Sequence, residues 1–208
     1  MTRTLAGKTI LMSGGSRGIG LAIALRAARD GASIVLLAKT AIPHPKLEGT
    51  IYTAAEQVEA AGGRAVPVVG DLRADEDVER AVGEAVTAFG GIDAVVNNAS
   101  AIDLSPTPKI SMKRYDLLQD VNARGTFALT RAALPYLEAA ANPHILTLSP
   151  PLNLNPRWVG TCTGNFYTDE DVLREEGVTD FSGYRLGDRE EDLDLDFFLP
   201  DAPLPERP

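Results

Sequence analysis

The chain has 208 residues, enough for one domain with a sizeable core, and a hydrophobic content of 44%, that of an ordinary globular protein. No apolar run reaches the length of a membrane span or a signal-peptide core, so the expected location is cytoplasmic. A net charge of −9 argues against a nucleic-acid partner, which needs clustered Lys and Arg, and the single Cys162 allows no disulfide framework within one chain.

The first element is Thr9-Ile10-Leu11-Met12, a short continuous apolar run of the kind found in strands buried on both faces. It runs directly into Ser13-Gly14-Gly15-Ser16-Arg17-Gly18-Ile19-Gly20 and then into a helix rich in Ala and Leu. In such a turn Gly14 permits a sharp reversal and Gly18 lets the backbone approach a pyrophosphate. Gly20 lets helix and strand pack closely, and the helix N-terminus attracts phosphate charge. A merely structural glycine turn is the alternative. The position between a first strand and a first helix favours the phosphate-binding reading.

The second strand is Ile34-Val35-Leu36-Leu37, followed by Ala38-Lys39-Thr40. NAD-preferring sites usually carry an acid there to hold the ribose 2′-OH. Lys39 and Arg17 are suited instead to neutralising a 2′-phosphate; the other reading is two solvated surface charges. Val66–Val69 is the third strand, with Asp71-Leu72 just after it. A helix stripe follows at Val78, Ala81, Val82, Ala85, Val86 and Phe89. Asp75, Glu76 and Asp77 suit its N-terminal dipole, and Gly90-Gly91 ends it. Ala94-Val95-Val96 is the fourth strand, continued by Asn97-Asn98-Ala99-Ser100.

Ser111–Ala140 reads as mostly helical, with Pro135 placed to kink or end a turn. Asn122 lies inside it, which is unfavourable unless its side chain has a task. His144–Leu148 is the fifth strand, after which Pro150, Pro151 and Pro156 stop regular structure. Strands alternating with helices mean βαβ units and a parallel sheet. His44 and His144 are too few and too separate for a metal site. Beyond them Asn165-Phe166-Tyr167 has the pattern of one more strand. From Thr168 to Pro208 fourteen acids stand against four arginines, with Phe197-Phe198-Leu199 as an apolar knot. That composition suits a solvated tail, or alternatively a tail that binds a partner.

The Gly-x-x-x-Gly-x-Gly spacing of residues 14–20 resembles the short-chain dehydrogenase/reductase family. Asn97-Asn98-Ala99-Ser100 matches that family's Asn-Asn-Ala-Gly, with Ser100 in place of the Gly. Asp71-Leu72 matches the pair that contacts adenine, and Asn122 matches the catalytic-relay Asn. Ser149 stands where the family's serine ends the fifth strand, although in related enzymes it often lies one residue further on, where this chain has Pro150. Lys39-Thr40-Ala41, Pro43–Lys46, Gly49–Tyr52 and Ser149–Pro156 are similar to the hydroxysteroid dehydrogenase-like protein 2 subgroup, as are Thr163–Phe166 and Leu173–Gly177.

The resemblance implies an α/β fold with a doubly wound, Rossmann-like parallel sheet in the strand order 3-2-1-4-5. It implies a cofactor site of Gly14, Gly15, Ser16, Arg17, Gly18, Ile19, Gly20, Lys39, Asp71, Leu72, Asn98, Ala99 and Ser100. Asn122 and Ser149 are the candidate catalytic residues. The implied cofactor is NADP, and the implied reaction is hydride transfer to or from a small-molecule carbonyl or alcohol.

One part of the family pattern is missing. Tyr52, Tyr115, Tyr136, Tyr167 and Tyr184 are followed four residues later by Glu56, Gln119, Ala140, Asp171 and Asp188. No Tyr-x-x-x-Lys exists. The resemblance covers residues 1 to about 158 and resumes near residue 163, which implies an internal deletion near Val159–Cys162 that truncates the later strands. The expected division is an NADP-binding domain at 1–160 and a residual acidic segment at 161–208. Two functional readings follow: an oxidoreductase impaired as written, or a catalytically silent nucleotide-binding or interaction protein. Loss of a sixth strand would leave the fifth strand's edge open to self-association.

Overall fold

The computed structural model describes residues 4–45, 47–149, 177 and 179. Strands and helices alternate along the chain: β1 (Thr9–Ser13), α1 (Gly18–Arg29), β2 (Ser33–Ala38), α2 (Ile51–Ala60), β3 (Arg64–Val69), α3 (Asp75–Phe89) and β4 (Ala94–Asn97). A long helix follows in three parts. These are α4 (Met112–Leu118), a π-helical turn (Gln119–Gly125) and α5 (Thr126–Ala139), and they lead to β5 (His144–Thr147). The strands are parallel and pair in the order β3-β2-β1-β4-β5, as the resemblance implies.

Alternation of side chains along β1 and β2 sorts the core into two layers. Leu11, Val35 and Leu37 face α3 and α5, packing with Val78, Ala81, Leu129 and Ala133. Ile10, Met12, Ile34 and Leu36 face α1 and α2, packing with Ala24, Ala27, Ile51 and Val58. Helices thus cover both faces, and the apolar runs at β1, β2 and most of β4 are buried as expected. α3 buries Val78, Ala81, Val82 and Ala85 and ends at Gly90 with φ of 86°.

Two of the runs differ from the expectation of burial on both faces. β5 is exposed along its length, with Ile145 at 48% and Leu146 at 51%, because it is the edge of the described sheet. β3 is the opposite edge and is only half-buried. Its edge position is also what lets it carry Pro67, which has no N–H to give to a ladder. Pro135 does not end its helix at that point. It stands exposed within α5, where the carbonyl it leaves free can turn to water, and the helix continues to Ala139.

Met1–Leu148 forms one compact unit. The expected boundary at residues 160 and 161, the deletion near Val159–Cys162, the strand at Asn165–Tyr167 and the acidic tail fall outside the described residues. Among the described residues no helix is long and apolar enough to cross a membrane.

Candidate functional site

The strand order reverses between β1 and β4, whose last residues Ser13 and Asn97 are register partners. In open α/β sheets ligands bind beyond the carboxyl ends of the strands at such a reversal. The loops leaving β1 and β4 meet there. The Ser13 hydroxyl accepts hydrogen bonds from the Asn98 N–H at 3.2 Å and the Ala99 N–H at 3.1 Å. The Asn98 amide donates in return to the Gly14 carbonyl at 2.9 Å and the Ser13 carbonyl at 3.3 Å.

Glycine is required where these loops touch. Gly14 has φ of 73°, and a Cβ on it would lie 2.8 Å from Ala99 Cα. A Cβ on Gly20 would lie 2.5 Å from the Asn98 amide and 2.6 Å from the Gly14 carbonyl. So Gly20 admits the β4 loop, a finer role than helix–strand packing. Gly15 makes room for Leu36 of β2. Gly18, with φ of 57°, faces open space, and Ile19 beside it is exposed. Ser16 is buried. Arg17 precedes α1 with no side-chain cap on the helix's free N–H groups.

Arg17 Nη2 donates to the Gly49 carbonyl at 3.0 Å, while its Nη1 is buried with no partner. A buried guanidinium nitrogen left unpaired is costly and suits an anion. The residues present therefore fit a dinucleotide: an open glycine, an uncapped helix N-terminus and an arginine with a free donor at one end of the turn.

The second charged group surrounds Asp71. Arg73 donates to it from Nε at 3.0 and 3.1 Å, from Nη2 at 2.6 Å and from its backbone N–H at 3.0 Å. Lys39 Nζ stands 3.6 Å away. The hydrogen bond from Arg73 is the main cause that holds the Asp71 carboxyl at a pKa of about 2, against the opposing effect of burial. Leu72 turns the other way into the core. No acid directly follows β2 in the chain. The fold brings one beside Lys39 from the end of β3.

Asn122 has the task its helix position demanded. Its Oδ1 accepts from the Ala101 N–H at 2.9 Å, and its Nδ2 donates to the Ala101 carbonyl at 2.8 Å. The side chain clamps the β4 loop and is used up in doing so. Ser100 and Ser149 are exposed, and Ser149 stands two residues after β5. Asn97 donates to Thr130 at 3.0 Å and Thr147 at 3.4 Å, linking β4, α5 and β5.

Residues 8–161 match the short chain dehydrogenase family. The chain belongs to that family. It is 58% identical to hydroxysteroid dehydrogenase-like protein 2 of Xenopus laevis over 157 residues, which are 76% of this chain and 38% of that protein. The chain thus spans well under half the length of that relative. A short chain dehydrogenase from Mycobacterium thermoresistibile superposes with a TM-score of 0.71 at 55% identity, over 74% of this chain and 55% of that one. An NADH-dependent reductase crystallised with NAD superposes with a TM-score of 0.61 at 30% identity, over 69% of this chain and 59% of the other.

Arg73 and Arg124 are not singled out by the sequence, and Arg124 acts through tertiary contacts with Arg73 and Asp75. The only local signal among them is Asp71-x-Arg73, where the side chain of Asp71 accepts from the backbone two residues on, an Asx turn.

Proposed function

We propose that this chain binds NADP(H) and derives from an oxidoreductase that transfers hydride between that cofactor and a small-molecule carbonyl or alcohol. The observation that carries the reading is the buried, unpaired Arg17 Nη1 beside the glycine turn. Gly14, Gly15, Ser16, Gly18, Ile19 and Gly20 would hold the pyrophosphate, with Arg17 and Lys39 at the 2′-phosphate and the backbone of Asp71 and Leu72 at the adenine, since the Asp71 carboxylate is held by Arg73 and the Leu72 side chain lies in the core. Asn98, Ala99 and Ser100 would line the site from β4, and Asn122 would keep that loop in place. Bound cofactor would supply the hydride acceptor or donor.

The test is a fluorescence titration with both reduced cofactors. Charge-assisted contacts are each worth about 1.5–3 kcal/mol, so NADPH is expected to bind tenfold or more tightly than NADH. Equal affinities reject the reading, as does a Lys39→Ala variant that weakens both alike. The NAD held by the reductase neighbour belongs to a protein 30% identical and does not decide the choice here.

A second reading, a nucleotide-binding protein without turnover, is favoured by the lack of Tyr-x-x-x-Lys in the 208 residues. It predicts the same binding and differs in catalysis.

A further inference from the structure

Lys39 and Arg17 are a credible 2′-phosphate clamp only if nothing else claims their charge. Asp71 is the obvious competitor, since its carboxylate lies 3.6 Å from Lys39 Nζ. That distance is an ion pair without a good hydrogen bond. The reason is visible: both carboxylate oxygens are already taken by the Arg73 fork, with a further bond from the Arg73 N–H. The fork is itself held from behind. Arg124 Nη1 donates to the Arg73 carbonyl at 2.9 Å, and Arg124 Nη2 grips Asp75 at 2.7 and 2.9 Å. Asp71's own N–H is fixed by Asp77 at 2.8 Å. The carboxylate therefore has one well-placed cation and one distant one.

We propose that Arg73 is a specificity-determining residue: by occupying Asp71 it keeps the Lys39 ammonium available to the 2′-phosphate of the cofactor. This rests on the NADP(H) reading above. A planar guanidinium matches a carboxylate in two places at once, whereas lysine is a point charge on a flexible stem. With Arg73 present, Asp71 has no vacant oxygen worth that stem's ordering. With Arg73 removed, the Lys39 stem needs to close less than an ångström to make a hydrogen-bonded pair with Asp71. Such a pair would cancel the charge that distinguishes a phosphate from a hydroxyl.

The measurement is the ratio of NADH to NADPH dissociation constants, by cofactor fluorescence. Both ligands share the adenine, so changes there cancel in the ratio. Arg73→Ala is expected to lower the ratio about fivefold, the size of a partly exposed ion pair. Arg73→Gln, which keeps the stem, is expected to do the same. Asp71→Asn placed on Arg73→Ala is expected to restore the ratio, because a neutral amide does not capture Lys39. An unchanged ratio in the Arg73 variants overturns the proposal. A ratio that stays low in the double variant also overturns it, since Arg73 would then act on the phosphate with its own charge. A wild-type ratio near one instead removes the NADP(H) reading beneath it, so the two failures are distinct.

Discussion

Two glycines in similar helical surroundings have opposite reasons for being glycine. Gly20 lies in the first turn of α1, where an added methyl would meet the Asn98 amide and the Gly14 carbonyl at 2.5 and 2.6 Å. One of those atoms is backbone, and the other is tied to it by a 2.9 Å hydrogen bond. Neither yields easily. Gly20→Ala is expected to destabilise by about 1–3 kcal/mol, the range for overpacking a fixed contact. Gly83 lies exposed in the middle of α3 with nothing within 4 Å of its would-be Cβ. There glycine contributes only chain entropy to the unfolded state. Gly83→Ala is expected to stabilise by about 1 kcal/mol. Urea midpoints of the two variants check both signs in one experiment. Two stabilising changes would mean that the loop after β4 gives way to the methyl.

At the scale of elements, the long helix Met112–Ala139 matters most, because its defect coincides with a contact. The π-helical turn at Gln119–Gly125 carries Asn122 and Arg124, and both are spent on holding neighbouring loops. Gly125 closes the turn against Leu72, where a Cβ would lie 2.7 Å from the leucine side chain. Three contacts thus pin one irregular turn between the loops after β3 and β4. Removing the clamp with Asn122→Leu is expected to cost about 1–2 kcal/mol for its two hydrogen bonds. Amide exchange at Ala101 should accelerate, while exchange in α3 at Val82 and Ala85 should not. Uniform acceleration across both elements would show global destabilisation instead of a local clamp. The sequence hinted at this site through the cost of an asparagine inside a helix. It carried no hint of the π-helical turn, because that depends on a backbone shift and not on side-chain periodicity. That the helix runs on past Pro135 was not legible either, because whether a proline ends a helix depends on where its freed carbonyl can turn, which only packing decides. β5 was legible as a strand, and its open edge followed from the missing sixth strand, but the exposure of its side chains was not, since a continuous apolar run reads as buried on both faces.

For the molecule as a whole, the parallel sheet and its order were legible because strand–helix alternation leaves few topologies, and the glycine turn marks the carboxyl edge in the sequence itself. The network of Asp71, Arg73 and Lys39 was not, because it joins the ends of two strands that are far apart in the chain. The same scale holds the question of turnover. The frame that would hold the cofactor is nearly complete in Met1–Leu148, whereas the proton donor of the family pattern is absent from the sequence. Among the described residues Tyr52 sits exposed on α2, Tyr115 on α4 and Tyr136 on α5, none with a lysine one turn on. No lysine follows Lys113 at all, so Tyr167 and Tyr184, outside the described residues, have none after them either. A phenol works well as an acid–base group at neutral pH only with a cation beside it. Positioned general acid catalysis is worth about 10²–10⁴-fold in rate. The expected outcome is therefore binding without turnover: NADPH fluorescence responds to the protein, while NADPH absorbance with a panel of aldehydes, ketones and quinones decays at the buffer rate. Turnover abolished by Tyr167→Phe would overturn this and identify a substitute acid. Turnover that survives that change but vanishes with Ser149→Ala would place the proton transfer on a serine-held water instead.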